Sequence, residues 1–384
     1  MRIALVTDGI WPYVLGGMQK HSYYLCKYLA KNKIDVHLFH FNQSQLDIST
    51  LSFFTDAEKQ YITSVVVDFP KKRHYPGHYL HESYLHSKLI FEAMAPHLST
   101  YDFIYTKGFT GWYLMNQKHR GRIACAAIGV KFHGYEMFQK PPSFLAALKN
   151  VFLLRYPVKL ISLKADVVFS YGAKITELIR SLGVTPEKIM ELPSGVESSF
   201  VQDQVKPSGE KLVMLYVGRY ERRKGIEELN EAIRLYSAKK KHNKLEFHFV
   251  GPIPEDKRLS DAAVIYHGEV RDKDLLQSIL KNADVLMCPS WSEGMPNVIL
   301  EGMASGLAVM CTNVGANAIL TDQSNGWILP KPNVHDIEQV FMELNAMEAS
   351  RLDKLKQGSL EKIKIGFTWE ILSSQLIKAL GKYK

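Results

Sequence analysis

The chain of 384 residues is 46% hydrophobic and 23% charged, an ordinary composition for soluble protein and enough length for two domains of typical size. No run approaches the ~18 apolar residues of a membrane span, and Asp8 cuts short the apolar start Ile3–Val6, so neither a spanning helix nor a signal peptide is expected and the cytosol is the expected compartment. The net charge of +9 is uneven: residues 1–200 hold 23 basic and 15 acidic groups (+8), residues 201–384 hold 25 and 24 (+1), a field that suits nucleic acid, anionic lipid or a phosphorylated substrate without choosing among them.

In chain order, Arg2–Thr7 reads as a first strand and Asp8–Gly17 as a loop ending in the paired glycines Gly16 and Gly17. Met18–Lys31 has helical spacing, Asn32 is a stop, and Ile34–His40 is the next strand. Further strands are expected at 64–69, 102–106, 123–132 and 166–170, alternating with helical stretches near 81–96, 109–119, 143–164 and 173–182. Such alternation implies a parallel sheet covered by helices. Segments 41–63 and 70–81 fit neither element and read as a flap. Val201–Glu210 is polar, contains Pro207 and Gly209, and reads as a linker.

A second unit repeats the architecture without the sequence. Strands fit 211–218, 245–250, 264–266, 284–289, 307–311 and 326–329, with helices at 226–240, 272–282, 296–305 and 334–347. From Phe367 a final helical stretch with its own aromatic anchor runs to the end. Cys26, Cys125, Cys288 and Cys311 show no Cys-x-x-Cys spacing and read as buried thiols. Asp272-Lys-Asp274 opens a helix and reads as N-cap and first-turn acids, so a metal site is not expected.

Two stretches carry chemistry. Val217-Gly-Arg-Tyr-Glu-Arg-Arg-Lys-Gly225 ends a strand in Gly218-Arg219 and sets Lys224 a few residues on, a planar fork of donors and a point charge suited to a diphosphate. Arg222 and Arg223 read more simply as solvated charges. In Trp291-Ser-Glu-Gly-Met-Pro-Asn-Val-Ile-Leu-Glu-Gly-Met-Ala-Ser-Gly306, Pro296 marks a helix start, which places Glu293 in the loop beyond a strand and Glu301 inside the helix. The free amides at that start and the dipole behind them suit a phosphate near Met295. Gly16 and Gly17, between a strand and a helix, allow close approach of backbone to a substrate.

With Glu293-Gly294-Met295-Pro296 followed by Glu301 and the small Ala-Ser-Gly tail, the chain resembles the retaining GT-B glycosyltransferases of the group 1 type, family four of the nucleotide-sugar-dependent transferases. The resemblance implies an α/β chain of two Rossmann-like, doubly wound parallel-sheet domains facing across a cleft. It places an acceptor domain at 1–200, joined by the terminal helix 367–384, and a donor domain at 201–366. It implies that Arg219 and Lys224 hold the diphosphate, Glu293 the hydroxyls of the transferred sugar and Glu301 the ribose, with the base against Gly251 and Gly268-Glu-Val270. His133, after the strand 123–132, corresponds to a family histidine near the donor sugar; a loop histidine bonded to backbone is the ordinary alternative. Pro193-Ser-Gly-Val-Glu197 departs from the family's Asn-Gly-Val-Asp turn at Ser194 and Glu197, which puts ligand contact there in doubt.

The expected function is metal-independent transfer of a sugar, with retention, from a nucleotide-sugar, a UDP-sugar in the first place, to a glycan or lipid-linked hydroxyl in cell-surface polysaccharide or glycolipid synthesis. No cofactor and no nucleic acid are expected. A sugar-nucleotide epimerase of the same fold and a non-catalytic glycan or nucleic-acid binder are the alternatives. The stretch Ser143–Lys164, apolar on one side and carrying Lys149, Arg155, Lys159 and Lys164, reads either as a peripheral contact with an anionic membrane at its inner face or as a helix packed on the sheet.

Overall fold

The computed structural model describes residues 1–14, 16–41, 53–70, 77–139, 141, 144–239 and 244–383, with Ala146 for its backbone only. Of the flap expected at 41–63 and 70–81, residues 42–52 and 71–76 lie outside the described residues, as does Ser143 at the head of the basic, apolar stretch. Two compact units form. The first comprises Met1–Tyr171, Ile175–Ser194 and the segment from Trp369 onward, the second Gly172–Lys174 and Gly195–Thr368.

The first unit is built on β1 (Arg2–Val6), β2 (Asp35–His40), β3 (Ile62–Val66), β4 (Phe103–Lys107), β5 (Ala127–Lys131), β6 (Val167–Ser170) and β7 (Ile189–Glu191). These pair in the order β3-β2-β1-β4-β5-β6-β7, with every pairing parallel. The second is built on β8 (Leu212–Val217), β9 (Leu245–Val250), β10 (Val264–Gly268), β11 (Val285–Cys288), β12 (Ala308–Thr312) and β13 (Gly326–Leu329). Their order is β10-β9-β8-β11-β12-β13, again all parallel. The central strands are nearly continuous apolar runs because helices cover both faces, and β4, β6, β11 and β12 are buried at every residue.

In each sheet the strand order reverses beside the first strand, at β1/β4 and at β8/β11. Loops leaving the carboxyl ends of those two neighbours diverge there, and this is where open α/β sheets bind ligands.

The first core gathers Leu5, Phe103 and Phe169 together with Trp369, on the helix Trp369–Leu380. That helix packs on Gly17–Lys31, with Tyr28 Oη donating to Glu370 Oε1 at 3.0 Å and Asn32 Nδ2 to Ser373 Oγ at 3.3 Å. In the second core Met214, Phe247 and Phe249 pack on Ile233, Ile337 and Phe341.

Several elements differ from the sequence reading. In the described part of the expected flap Asp56–Lys59 is a helix capped by Thr55, β3 begins at Ile62 rather than at 64, and a helix begins at His78 rather than near 81, each too short or too polar at its start for periodicity to show. β7 has only three residues, too few for periodicity to show. The helix Ala349–Gly366 was not anticipated, because its buried Leu352, Leu360 and Ile363 are diluted by charge. Val201–Glu210 is irregular but held to the second unit: Gln202 N donates to Ala304 O at 2.9 Å and Lys206 Nζ to Asn282 O at 2.6 Å, while Ser208 Oγ donates to Asp353 Oδ1 at 2.6 Å.

Candidate active site

At the β8/β11 reversal three loops converge. The first leaves β8 through Gly218, whose amide donates to Val250 O at 2.9 Å, and carries Arg219, Glu221, Arg223 and Lys224. The second leaves β11 through Pro289 to the helix Asn297–Ala304, and the third follows β12. Trp291 N donates to Arg223 O at 2.7 Å, and Ala316 N to Gly294 O at 2.8 Å, so the backbones themselves are tied together. Two glycines make this approach sterically allowed. A Cβ on Gly225 (φ +67) would stand 1.8 Å from Pro289 O, and one on Gly315 (φ +54) 2.3 Å from Glu293 O and 2.4 Å from Gly294 O.

The side chains meet around Glu293, which is 5% exposed. Lys224 Nζ lies 2.6 Å from its Oε1, Ser290 Oγ donates to the same oxygen at 2.8 Å, and Arg223 Nη1 lies 3.8 Å from Oε2. Burial alone pushes the Glu293 carboxyl up, but Lys224, Arg223 and Ser290 together outweigh it and hold the group below the usual carboxylate range. Glu293 is therefore a fixed carboxylate, able to accept hydrogen bonds but not to donate them. Ser290 is positioned in turn, since Thr312 Oγ1 donates to its carbonyl at 2.5 Å.

Arg219 is different. Its side chain is 69% exposed and its Nη2 lies 2.9 Å from Glu221 Oε1, while Glu221 Oε2 accepts from Arg223 Nε at 2.8 Å. One carboxylate thus holds two guanidinium groups in place, one exposed and one reaching Glu293. Arg222 turns away, with Nη2 2.7 Å from Glu228 Oε1 and its guanidinium 5.3 Å over the Trp291 ring, so it belongs to the surface. Arg223, read as solvated, is the correction here.

Pro296 is the N-cap of Asn297–Ala304 rather than its first residue; the helix has no side-chain cap bond and no acid in its first turn. Ile299 N donates to Pro296 O at 3.1 Å within the first turn, and the positive end of the helix dipole lies at this start. Gly294, Met295 and Pro296 are buried against the sheet, and Glu301 is half-buried on the fifth helical position. Gly251 N donates to Gly268 O at 2.7 Å at the ends of β9 and β10, and half-buried Val270 follows two residues on.

Asp272 Oδ1 accepts from Leu275 N at 2.8 Å as an N-cap. Among the described residues no three His, Cys, Asp or Glu side chains group as metal ligands would. Burial pushes the Cys288 thiol up to about 11, with Glu293 adding to the effect, which leaves it unsuited as a nucleophile.

The first unit has its own pocket at the β1/β4 reversal, of about 440 Å³, lined by Asp8, Gly108 and Thr110 from the strand ends and by Phe41, Phe69, Phe109, Phe132, Met18, Met137 and His133. His133 is half-buried, with Nδ1 3.4 Å from Tyr171 Oη and Nε2 3.6 Å from Glu136 Oε1. Gly16 caps the helix Gly17–Lys31 with φ +155, and both glycines are exposed. Below them lies a group the sequence reading missed. Lys107, 1% exposed at the end of β4, sets Nζ 3.0 Å from Met18 O and 3.0 Å from His21 Nδ1. Burial pushes its ammonium down to about 7 and pushes the Asp8 carboxyl up, with each charge opposing the shift of the other. A lysine and an aspartate about a hundred residues apart, each at the carboxyl end of an apolar run, are the only sequence signal.

Comparison with known proteins follows this division. The family profile "Glycosyltransferase Family 4" matches residues 15–200, and "Glycosyl transferases group 1" matches residues 211–345. A putative teichuronic acid biosynthesis glycosyltransferase of Bacillus subtilis is 32% identical over 161 residues, covering 39% of each chain. An uncharacterized glycosyltransferase of Methanocaldococcus jannaschii is 24% identical over 375 residues, 95% of this chain and 94% of that protein. Among solved structures, sucrose-phosphate synthase from Thermosynechococcus elongatus superposes with a TM-score of 0.75 at 18% identity, covering 99% and 98% of the two chains. An Anabaena protein solved in complex with UDP gives 0.71 at 14% identity over the full length of both.

Proposed function

Because the chain belongs to the group 1 glycosyltransferases and has the GT-B fold, we propose that it moves a sugar from a UDP-sugar to a hydroxyl acceptor with retention at the anomeric carbon. The observation that carries this is the Lys224–Glu293 pair, set with Arg223 and Arg219 beside an uncapped helix start at the β8/β11 reversal. In this reading Arg219, Lys224 and the helix amides stabilise the diphosphate as the bond to the sugar breaks. They supply the positive charge a divalent cation would supply, so no metal is needed. Glu293 accepts from hydroxyls of the transferred sugar and Glu301 from the ribose. The departing phosphate oxygen takes the acceptor's proton on the same face, which requires no enzymic nucleophile.

Solved relatives of the fold in complex with UDP and UDP-glucose support the choice of donor, and the Bacillus subtilis relative supports a place in cell-surface polysaccharide or glycolipid synthesis. His133, Gly16 and Gly17 belong to the acceptor-bearing first unit, which works at the inner face of the cell membrane.

Turnover of a UDP-sugar panel tests the reading. Arg219→Ala and Lys224→Ala should each lose about 100-fold or more, the usual cost of removing a charge-stabilising donor. Near-normal turnover in both would remove the assignment. The exposed Arg219 is the cleaner arm, since Lys224 also neutralises a buried carboxylate.

A further inference from the structure

A folded chain hides its large apolar side chains where it can, and twelve of them stay exposed among the described residues. Six of the twelve fall within the thirteen residues Phe144–Tyr156 of the first unit: Phe144 and Leu145 at 77% exposure, Phe152 at 75%, Tyr156 at 73%, with Leu148 and Val151 beside them. A concentration of this kind marks an interaction surface, whereas apolar residues scattered singly do not.

The element that bears them is anchored. It runs as an α-helix over Phe144–Lys149, widens to a π-turn over Asn150–Leu154 and returns to α over Arg155–Lys164. Pro157, which lacks an amide to donate to the preceding turn, is the third residue of the α-helix that follows the widening. The carboxyl half is packed, with Val158 and Ile161 buried, Ser162 Oγ 3.0 Å from Tyr135 Oη, and Lys164 Nζ donating to Asn116 Oδ1 at 2.7 Å. A rigid base therefore holds the apolar amino half outward. The alternative of a helix packed wholly on the sheet accounts for this carboxyl half alone.

The charge on the element chooses the partner. Phe144–Lys164 contains four basic residues and no acidic one, and Lys149 and Lys159 are exposed. Aromatic and aliphatic side chains flanked by lysines suit the boundary between anionic headgroups and acyl chains. The same element touches the first-unit pocket: Arg155 Nε donates to Met137 O at 2.9 Å, and the Met137 side chain lines the pocket wall.

We propose that this face seats the first unit on an anionic lipid bilayer, which brings a lipid-borne acceptor to the aromatic pocket. The docking stands on the exposed face itself; only the delivery of acceptor rests on the glycosyltransferase reading.

Sedimentation of the full chain with phosphatidylcholine vesicles, with and without phosphatidylglycerol, tests it. Binding should require the anionic lipid and weaken with salt. It should fall about tenfold or more in F144S/F152S/Y156S and about tenfold in K149Q/K159Q. The melting step of the first unit in scanning calorimetry should be unchanged in both, which separates lost docking from lost fold. Equal recovery with neutral and anionic vesicles, or unchanged binding in the variants, overturns the proposal. Lipid-free dimerisation that the triple substitution abolishes would assign the face to a second copy and overturn it too. Failure of the unsubstituted chain to bind UDP would count against the donor reading while leaving the vesicle result standing.

Discussion

Glu293 shows why local sequence reads some of a site and tertiary structure the rest. Its place in a loop past an apolar strand, with Glu301 in the helix beyond, followed from the positions of Pro289 and Pro296, because strand, loop and helix are short-range events. That it is buried and ionised did not follow, since this depends on Lys224 at 2.6 Å and Ser290 at 2.8 Å meeting one oxygen from two loops. Arg223 and Glu221 escaped for the same reason: in sequence they are two more charges in a charged run. With its carboxyl held below the ordinary carboxylate range by Lys224, Arg223 and Ser290, Glu293 contributes stability that is fully present above that range and is lost as pH falls through the folded value. Glu293→Gln should therefore reduce acid sensitivity near the bottom of that range. In calorimetry it should weaken binding of the UDP-sugar more than that of UDP, while Glu301→Gln weakens both. Equal losses for the two ligands in Glu293→Gln would contradict a sugar contact.

At the scale of elements, alternating apolar runs and amphipathic stretches made the two parallel sheets legible, and β9 and β13 begin and end where the sequence placed them. Elements whose stability comes from distant partners were not legible. The helix Ala349–Gly366 carries lysines at 354, 356, 362 and 364, and nothing in their pattern singles out Lys356. Yet Lys356 is 0% exposed, with Nζ 2.9 Å from Asp284 Oδ1, while the other oxygen of Asp284 accepts from Val213 N at 2.9 Å and lies 3.3 Å from Lys206 Nζ. One buried carboxylate thereby joins the start of β8, the segment 201–210 and the helix. Lys356→Met leaves Asp284 with only the partly exposed Lys206 as a cation and should cost about 3 kcal/mol. In a unit of this size that lowers Tm by roughly 6–12 °C in a thermal scan. Lys354→Met, on the exposed side of the same helix, should change little, and equal shifts in the two would count against the buried pair.

At the scale of the whole molecule, Trp369 secures the first unit from the far end of the chain. It is 1% exposed, meets His21 edge-on at 5.1 Å and stacks on Tyr24 at 5.8 Å. The resemblance assigns this aromatic-anchored helix to the first unit, but the recess that receives it is assembled from residues about 340 positions earlier and has no signal in local sequence. Trp369→Ala should cost about 3–5 kcal/mol, and the loss should appear as a separate, earlier melting step of the first unit in calorimetry. A single transition at the unsubstituted temperature would contradict that role. The same arrangement sets a timetable for biosynthesis. The 174 residues of Gly195–Thr368 are translated after the first sheet is complete and before its last helix exists. At ~5–20 residues per second, that leaves the recess around His21 and Tyr24 uncovered on the ribosome for roughly 9–35 s. The second unit needs nothing that follows Thr368, so the half of the protein made later is the half that finishes folding first.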